Sequence, residues 1–222
     1  MACYHPIDAW RARVGVYPTG KAPIVFKEAY GDPSTAMKIP CGQCIGCRLE
    51  RSRQWAIRCM HEASLHPINC FLTLTYNDAS LHYCSFPDLA TGEVIGKVPT
   101  LFPRDVVLFL RRLRKKFGEG IRFFQCGEYG SQFSRPHHHM ILFGFDFADK
   151  QFLQMSNGVP LYMSPTLLGL WPYGHHSIGN VTFESAAYVA RCITKKINGD
   201  IKDSHYKGRV PEYVTMSRRR VS

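Results

Sequence analysis

Three consecutive histidines, His137, His138 and His139, stand between Pro136 and an apolar segment at 140–144. In an extended strand successive side chains point to opposite faces, so His137 and His139 share one face and His138 occupies the other. Two imidazoles on one face of a strand form half of a site for a divalent metal ion. We therefore predict His137 and His139 as metal ligands and His138 as a structural residue. A cluster of packed or solvated imidazoles without a metal is the alternative.

A carboxylate for the same site lies upstream, in the segment 126–130. Residues 130–136 have the character of a loop between two strands, and such a hairpin can bring Glu128 beside His137 and His139. One carboxylate oxygen and two imidazole nitrogens would give a divalent ion three protein ligands. Glu128 is therefore the predicted third ligand.

A helix predicted over 184–197 carries a second group of reactive side chains. Helical spacing places Tyr188, Arg191, Cys192 and Lys195 along one face. A phenol near two cations is in a setting that favours its phenolate and can hold a phosphate beside it, which makes Tyr188 a candidate nucleophile for a phosphodiester. The alternative is an amphipathic surface helix whose tyrosine ring packs and whose hydroxyl meets water.

The nine cysteines, an odd number, favour thiols or metal ligands over a disulfide framework. Cys41, Cys44 and Cys47 form a C-x-x-C-x-x-C run, and Cys3 is a candidate fourth ligand. Four sulfurs fit a tetrahedral Zn²⁺, so we predict a zinc site with a structural rather than catalytic role. An iron–sulfur cluster uses similar spacing, but the Cys-Pro ending typical of bacterial ferredoxins is missing. Three free thiols at the start of a helix are the remaining alternative.

The composition is that of a globular and strongly basic protein. With 222 residues and 45% hydrophobic content the chain can bury a substantial core. Lys and Arg number 28 against 17 acidic residues, and the resulting net charge of +11 predicts an anionic partner. The sequence has neither an apolar segment long enough to cross a bilayer nor the apolar start of a signal peptide, so we expect a soluble, intracellular protein.

Cations are concentrated in a helix predicted over Pro103–Phe117, and three more arginines follow at 218–220. A basic helix face gives phosphate affinity that depends on salt and not on sequence, although such a face is often only solvated. The predicted DNA-binding residues are Arg111, Arg112, Arg114, Lys115, Lys116 and Arg191. Aromatic side chains can stack on unpaired bases, and the candidates are Phe123, Phe124 and Tyr129.

The remaining elements follow from apolar periodicity and from residues that begin or end helices. Helices are predicted over Arg48–Ser64, Pro103–Phe117, Ala148–Met155, Pro165–Leu170 with Ser164 as N-cap, and Glu184–Ile197 ended by Asn198-Gly199. Strands are predicted over Phe71–Tyr76, Ile121–Gln125, His138–Phe145 and Ser177–Phe183, with a loop or small hairpin at 79–103.

Strands and helices alternate irregularly, without a βαβ rhythm or an internal repeat. This favours an α+β fold with an antiparallel sheet flanked by helices. Residues 1–40 are predicted to be an irregular arm with one short strand near 24–26. We predict two parts: an arm at 1–66, which carries the cysteines and a basic helix and packs on the core, and a core at 67–222 with a short basic tail.

Taken together, the motifs resemble those of HUH endonucleases, and more specifically the replication initiators of microviruses, the gokushovirus-like single-stranded DNA phages. The order is an apolar strand with threonines, a Pro-His-x-His strand and a helix bearing Tyr and Lys. The resemblance covers roughly residues 1–217. It is carried by Pro40–Arg48, Phe71–Tyr76, Gly127–Gly130, Arg135–His139 and Ala186–Arg191.

The resemblance implies an RRM-like antiparallel sheet, a Mg²⁺ or Mn²⁺ ion and a tyrosine that nicks one DNA strand through a covalent 5′-phosphotyrosine, which starts rolling-circle replication. It implies His137, His139 and Glu128 as metal ligands, Tyr188 as nucleophile, and Lys195, or less favourably Lys196, as the group that assists at the phosphate. The implied partners are single-stranded or supercoiled origin DNA and a host helicase and polymerase, in the host bacterial cytoplasm without a membrane.

Two departures from the resembled family concern the catalytic cycle and the length. Such phage proteins often carry a second tyrosine one helical turn after the first, where this chain has Cys192. A cycle with one tyrosine, or a partner subunit that supplies the second attack, would then be needed. The resemblance also implies a longer chain than one ending at Ser222.

Three other functions compete with a replication nickase. The first is a non-enzymatic, zinc-containing DNA-binding regulator in which the histidines are incidental. The second is a histidine-triad nucleotide hydrolase, which is disfavoured because Ile141 stands where that class needs a further histidine. The third is a mobilisation relaxase, which shares the nicking chemistry.

Overall fold

The computed structural model describes residues 3–13, 20–88, 91–197 and 202–217. The chain forms two compact units, Met1–Arg51 and Ser52–Ser222. The predicted basic tail at 218–220 and the predicted helix end at Asn198-Gly199 lie outside the described residues.

The first unit is built on a small antiparallel sheet. Its strands are β1 (Ile7–Arg11), β2 (Ile24–Val25) and β3 (Met37–Ile39), in the order β2-β1-β3. Helix α1 (Ile45–Ser64) begins in this unit, three residues before the predicted start. The prediction of a single short strand was therefore incomplete, because strands of two to five residues are too short to display a clear alternation.

The second unit contains the remaining elements. Its helices are α2 (Pro103–Phe117), α3 (Pro165–Leu170), α4 (Phe183–Lys195) and α5 (Lys202–Tyr206). Its strands are β4 (Asn69–Thr75), β5 (Tyr83–Pro87), β6 (Val94–Pro99), β7 (Arg122–Tyr129), β8 (Pro136–Phe143), β9 (Gln151–Ser156), β10 (Val159–Met163), β11 (His176–Gly179) and β12 (Tyr213–Met216). Among the described residues no helix is both long and apolar enough to cross a bilayer.

Seven strands form one antiparallel sheet in the order β12-β7-β8-β4-β11-β10-β9, while β5 and β6 pair separately as a hairpin. The predicted α+β class with an antiparallel sheet is therefore confirmed. The hairpin is one of the two arrangements predicted for residues 79–103. Strand β8 lies between β7 and β4, so the three-histidine segment is paired on both edges.

The two faces of this sheet pack against different helices. On one face Phe109 and Leu113 of α2 join Met140 of β8 in a buried cluster that also contains α3 residues. On the other face Val189 of α4 packs in a cluster with Ile141 of β8, together with residues of α1 from Ala56 onward. Because side chains alternate along β8, the face covered by α4 is also the face of the odd-numbered histidines.

The predicted helix at Ala148–Met155 is wrong, because this segment contains β9. Strands β9 and β10 form a hairpin whose two turn residues, Asn157 and Gly158, have φ angles of 50° and 78°. Two consecutive positive φ values match the twist of a tight hairpin, and Asn-Gly is the preferred sequence for it. The turn residues therefore outweighed the helix propensity of the segment before them.

Other boundaries differ less. Strand β11 covers only His176–Gly179 of the predicted Ser177–Phe183, because Thr182 caps α4 and Phe183 begins it. The prediction of α3 with Ser164 as N-cap is confirmed, since the Ser164 side chain accepts a hydrogen bond from the Leu167 N–H. Helix α5 and strand β12 were not predicted.

Gly174 leaves no room for a side chain beside the end of β4. A Cβ added there would lie 2.5 Å from the Thr75 carbonyl oxygen and 2.6 Å from the Tyr76 carbonyl carbon. Backbone atoms cannot move aside as a flexible side chain can, so we expect Gly174→Ala to lower the free energy of unfolding by about 1–3 kcal/mol. Urea unfolding followed by circular dichroism measures the change.

Gly169 in α3 is the matched control. A Cβ added at Gly169 meets no atom within 4 Å, and alanine favours the helical backbone. The variant Gly169→Ala should be as stable as the parent or slightly more so. Equal losses of stability in the two variants would contradict the packing explanation.

Candidate active site

The register of β7 and β8 brings Glu128 directly opposite His137. The Nε2 atom of His137 lies 2.9 Å from Glu128 Oε1, and the Nε2 atom of His139 lies 3.4 Å from the same oxygen. One ligand atom from each of the three residues lies within 4.8 Å of the others. The three predicted ligands are thus brought together on one face of the sheet.

Hydrogen bonds on the far side of each imidazole orient the two rings. Nδ1 of His137 lies 3.1 Å from the Arg135 carbonyl oxygen, which can only accept, so Nδ1 carries the hydrogen. Nδ1 of His139 lies 3.0 Å from Thr73 Oγ1. In the described part of the chain, Nε2 of His139 is buried without a hydrogen-bond partner. These contacts aim both Nε2 atoms at the carboxylate, which is how metal-binding histidines are oriented.

Glu128 is a buried carboxylate that stays charged. Burial would raise its pKa, but hydrogen bonds from His137, His139 and Lys195 outweigh this effect and hold the pKa of Glu128 well below its ordinary value. Burial lowers the pKa of His139, which favours the neutral imidazole. A charged carboxylate and a neutral imidazole are the protonation states that bind a divalent cation.

Helix α4 brings the predicted nucleophile to the same place. Thr182 and Ser185 form a capping box that fixes the start of the helix. The Tyr188 hydroxyl donates a hydrogen bond of 3.3 Å to Glu128 Oε1, and its ring meets the His139 ring edge-on at 4.8 Å. Tyr188 remains 40% exposed, so its oxygen is accessible to a substrate.

The expectation that two cations favour the Tyr188 phenolate is wrong for this structure. Burial raises the pKa of Tyr188, the Glu128 charge and hydrogen bond raise it further, and Arg191 opposes them only in part. Arg191 lies over the ring at 5.5 Å. Lys195 is paired through Nζ with Glu128 Oε2 at 2.9 Å, so its charge acts on the carboxylate rather than on the phenol.

Cys192 lies one turn after Tyr188, where similar phage proteins were expected to have a second tyrosine. It is only 1% exposed and is bonded to Cys126 of β7, with 6.4 Å between the two Cα atoms. The sequence favoured thiols or metal ligands; the structure joins this one pair and leaves the other seven cysteines as free thiols. Position 192 therefore offers no second nucleophile.

His138 lies on the opposite face of the sheet, within a buried polar network. Its Nε2 atom lies 3.2 Å from the Tyr76 hydroxyl, which donates to Asp105 of α2 at 3.0 Å. Asp105 also contacts His82 at 2.8 Å. Burial lowers the pKa of His138 to about 3, so the ring is neutral. The network ties β8 to α2 behind the site, and sequence analysis missed it because its members are far apart in the chain.

The basic residues of α2 lie on the face away from the histidine pair. Arg112 donates to the Leu170 carbonyl oxygen at 3.1 Å, and Arg114 donates to the Ile121 carbonyl oxygen at 3.2 Å. These two guanidinium groups therefore hold the fold together. DNA contact stays a prediction for the exposed members of the helix, Arg111, Lys115 and Lys116.

Two of the three aromatic residues proposed to stack on bases belong to the core. Phe124 is fully buried and stacks on Trp55 with 5.2 Å between ring centroids. Tyr129 is nearly buried, and its hydroxyl donates to the Val210 carbonyl oxygen at 2.7 Å. Base stacking by Phe124 and Tyr129 was therefore a wrong prediction, whereas the partly buried Phe123 is left untested.

The four cysteines of the predicted zinc site meet in the first unit. Cys3, Cys41, Cys44 and Cys47 each place a sulfur within 4.8 Å of the others. The structure thus contains two groups of residues suited to metal ions, one of sulfur ligands and one of carboxylate and imidazole ligands.

Comparisons with known proteins point to viral replication. A sequence profile for the replication-associated protein ORF2 family matches residues 69–197, more than half of the chain. Replication-associated protein ORF2 of Spiroplasma virus 4 is 34% identical over 186 residues, which cover 81% of this chain and 54% of that protein. Comparison with solved structures gives no match.

Two further relatives have the same kind of description. Replication-associated protein VP4 of Bdellovibrio phage phiMH2K is 34% identical over 219 residues, which cover 93% of this chain and 62% of that protein. Replication-associated protein ORF4 of Chlamydia phage 1 is 31% identical over 167 residues, which cover 71% of this chain and 38% of that protein. The aligned parts thus span about half the length of these relatives.

Thr73 is a site residue that sequence analysis missed. It lies on β4 opposite His139 and reaches the ring nitrogen away from the carboxylate. Its role becomes visible only when the pairing of β4 with β8 is known. The threonines of the apolar strand motif were quoted for their sequence, but nothing in the motif distinguishes Thr73 from Thr75.

We expect Thr73→Val to weaken the binding of Mn²⁺ at Glu128, His137 and His139 by about tenfold or more, because the His139 ring loses the contact that orients it. Isothermal titration with Mn²⁺ gives the dissociation constant. The control is Thr75→Val on the same strand, whose hydroxyl bonds to the His175 carbonyl oxygen instead. Equal weakening in the two variants would contradict an orienting role of Thr73.

Proposed function

Since the chain belongs to the ORF2 family of replication-associated proteins, we propose that it initiates replication by nicking one DNA strand at an origin. In this proposal Tyr188 becomes covalently linked to the 5′-phosphate, and the released 3′-hydroxyl starts rolling-circle replication of a small circular phage genome. The observation that supports it best is the Tyr188 hydroxyl, half exposed and 3.3 Å from the carboxylate that also contacts the histidine pair.

Glu128, His137 and His139 are the proposed ligands of a Mg²⁺ or Mn²⁺ ion. The fit rests on the buried Nε2 atom of His139, which has no hydrogen-bond partner in the described residues and faces a charged carboxylate. When bound there, such an ion would supply Lewis-acid polarisation of a phosphate oxygen and orient the scissile phosphate.

The residues of α4 carry out the proposed transfer. The Tyr188 oxygen forms a bond to phosphorus while the bond from phosphorus to the 3′ oxygen breaks. The phenol proton is lost to water at the exposed side of the ring, and the 3′ oxygen takes up a proton. Lys195 offsets negative charge on the phosphate. The phosphotyrosine bond retains the energy of the broken phosphodiester, so the reverse reaction rejoins ends.

The HUH endonuclease type of fold, with its RRM-like sheet, is part of the same proposal. Its support is a central strand, β8, that carries the histidine pair on one face, with the tyrosine helix α4 over that face. The predicted core at 67–222 would be the nuclease, and the predicted arm at 1–66 an addition to it.

The proposed cycle uses one tyrosine at a time. Cys192 is buried where a second tyrosine would be needed, so the second transfer requires either Tyr188 again or Tyr188 of another copy. The net charge of +11 supports single-stranded or supercoiled origin DNA as the partner. A host helicase and polymerase would complete replication inside the host bacterial cell. A purely DNA-binding regulator would give the Tyr188 contact no role.

We expect Tyr188→Phe to abolish a covalent protein–DNA adduct. The parent chain, incubated with Mn²⁺ and single-stranded DNA fragments covering its own phage genome, should give a DNA-linked band that survives denaturing electrophoresis. Phenylalanine keeps the ring packing and removes the attacking oxygen. The control Tyr83→Phe alters an exposed tyrosine on β5 and should retain the adduct. An adduct formed by Tyr188→Phe would refute the assignment.

The double variant His137→Ala/His139→Ala should lose nicking but keep most of its salt-dependent affinity for single-stranded DNA. The imidazoles hold the proposed ion, whereas affinity comes largely from cations. Cleavage of a labelled oligonucleotide and fluorescence anisotropy at two salt concentrations measure the two properties. His61→Ala, at an exposed histidine of α1, is the control. Nicking by the double variant at the parental rate would contradict the proposed role.

A further inference from the structure

Four sulfur atoms of the first unit have the spacing of ligands around a single ion. Cys3 Sγ lies 3.6 Å from Cys41 Sγ and 3.9 Å from Cys44 Sγ. Cys41 Sγ lies 4.0 Å from Cys47 Sγ. The residues come from two distant parts of the chain, since Cys3 precedes β1 and the other three surround the start of α1.

These distances agree with one tetrahedral metal ion. For a metal–sulfur distance of about 2.3 Å, the sulfurs of a regular tetrahedron are about 3.8 Å apart. Disulfide-bonded sulfurs would be about 2.05 Å apart. In an iron–sulfur cluster the thiolates bind different irons, which requires a wider spread of sulfurs than a single ion does.

The backbone around the cysteines treats their sulfurs as acceptors. The Cys41 N–H donates to Cys3 Sγ and the Cys44 N–H donates to Cys41 Sγ, both at 3.3 Å. Hydrogen bonds of this kind stabilise negative charge on sulfur. Gly42, with φ of 73°, turns the chain so that Cys41 and Cys44 face each other. The loop is thus shaped around the sulfurs.

The first unit needs such a centre because it has little apolar core. Of its described apolar side chains only Ala9 and Cys47 are buried, while Phe26 and Tyr30 are 60% and 65% exposed. A unit of about 50 residues gains little from hydrophobic burial and is usually held by metals or disulfides. The free thiols of this unit leave a metal as the available crosslink.

We propose that Cys3, Cys41, Cys44 and Cys47 bind one Zn²⁺ ion in a closed structural site. The four thiols lose their protons when the ion binds, and no ligand position remains open for water. The ion joins the residue before β1 to the start of α1, and so fixes the small sheet between them. The site is independent of the proposed nuclease reaction, since none of its residues takes part there.

Metal analysis of the purified full-length chain tests the proposal. After exhaustive dialysis against metal-free buffer, elemental analysis should find one zinc per chain. We expect Cys3→Ser and Cys41→Ser each to lose this zinc on dialysis. The control Cys84→Ser removes a thiol outside the cluster and should keep it. His137→Ala/His139→Ala should also keep the zinc, which separates this site from the proposed nuclease site.

Cobalt substitution tests the ligand set in a chain that is known to fold. The parent protein, stripped with a chelator and refilled with Co²⁺, should show the strong visible bands of tetrahedral cobalt and the ultraviolet bands of cobalt–thiolate bonds. Removing the metal should also expose residues 3–51 to protease while 52–217 resists. These readouts do not require DNA, so a failed nicking assay leaves them unaffected.

Three results would overturn the proposal. The first is a parent chain that retains no zinc and gives no tetrahedral cobalt spectrum. The second is zinc retained at the parental level by both Cys3→Ser and Cys41→Ser, which would place the ion elsewhere. The third is iron, with its visible charge-transfer absorption, as the metal retained by the purified chain.

Discussion

The candidate site depends on the register of three neighbouring strands. Glu128 pairs with His137 across β7 and β8, and Thr73 pairs with His139 across β4 and β8. A shift of one residue in either pairing would turn carboxylate or hydroxyl to the opposite face of the sheet. The apolar residues that follow in β8 oppose such a shift, because Met140 and Ile141 are buried in different clusters on the two faces. The core therefore specifies the geometry of the polar site.

The electrostatics of the site follow from one buried carboxylate surrounded by donors. His137, His139, Lys195 and Tyr188 all direct a polar group at Glu128. A carboxylate buried without partners would be costly, so this set of contacts stabilises the charged form. A divalent ion supplies the same compensation with a larger charge, which would release the lysine and the phenol for a phosphate. The sulfur cluster of the first unit has softer ligands, so the two groups favour different metals.

Much of the site could be predicted from sequence because its residues follow simple periodicities. Strand alternation separates His138 from its neighbours, and helical spacing aligns Tyr188 with Lys195. The pairing partners of a strand are not encoded in its own pattern, so Thr73 was missed. The raised pKa of Tyr188 depends on which group Lys195 contacts, which spacing alone cannot decide. The roles of these residues, the HUH type of fold and the division at residue 66 remain proposals.

Identifying the residue that becomes linked to DNA tests the proposed role of Tyr188 without an intermediate step. The parent chain would be incubated with Mn²⁺ and single-stranded origin DNA, digested with protease and nuclease, and analysed by tandem mass spectrometry. We expect a nucleotide joined through its 5′-phosphate to Tyr188, in a peptide from α4. A link to any other residue, or a cleaved strand with no protein attached, would contradict the nicking mechanism.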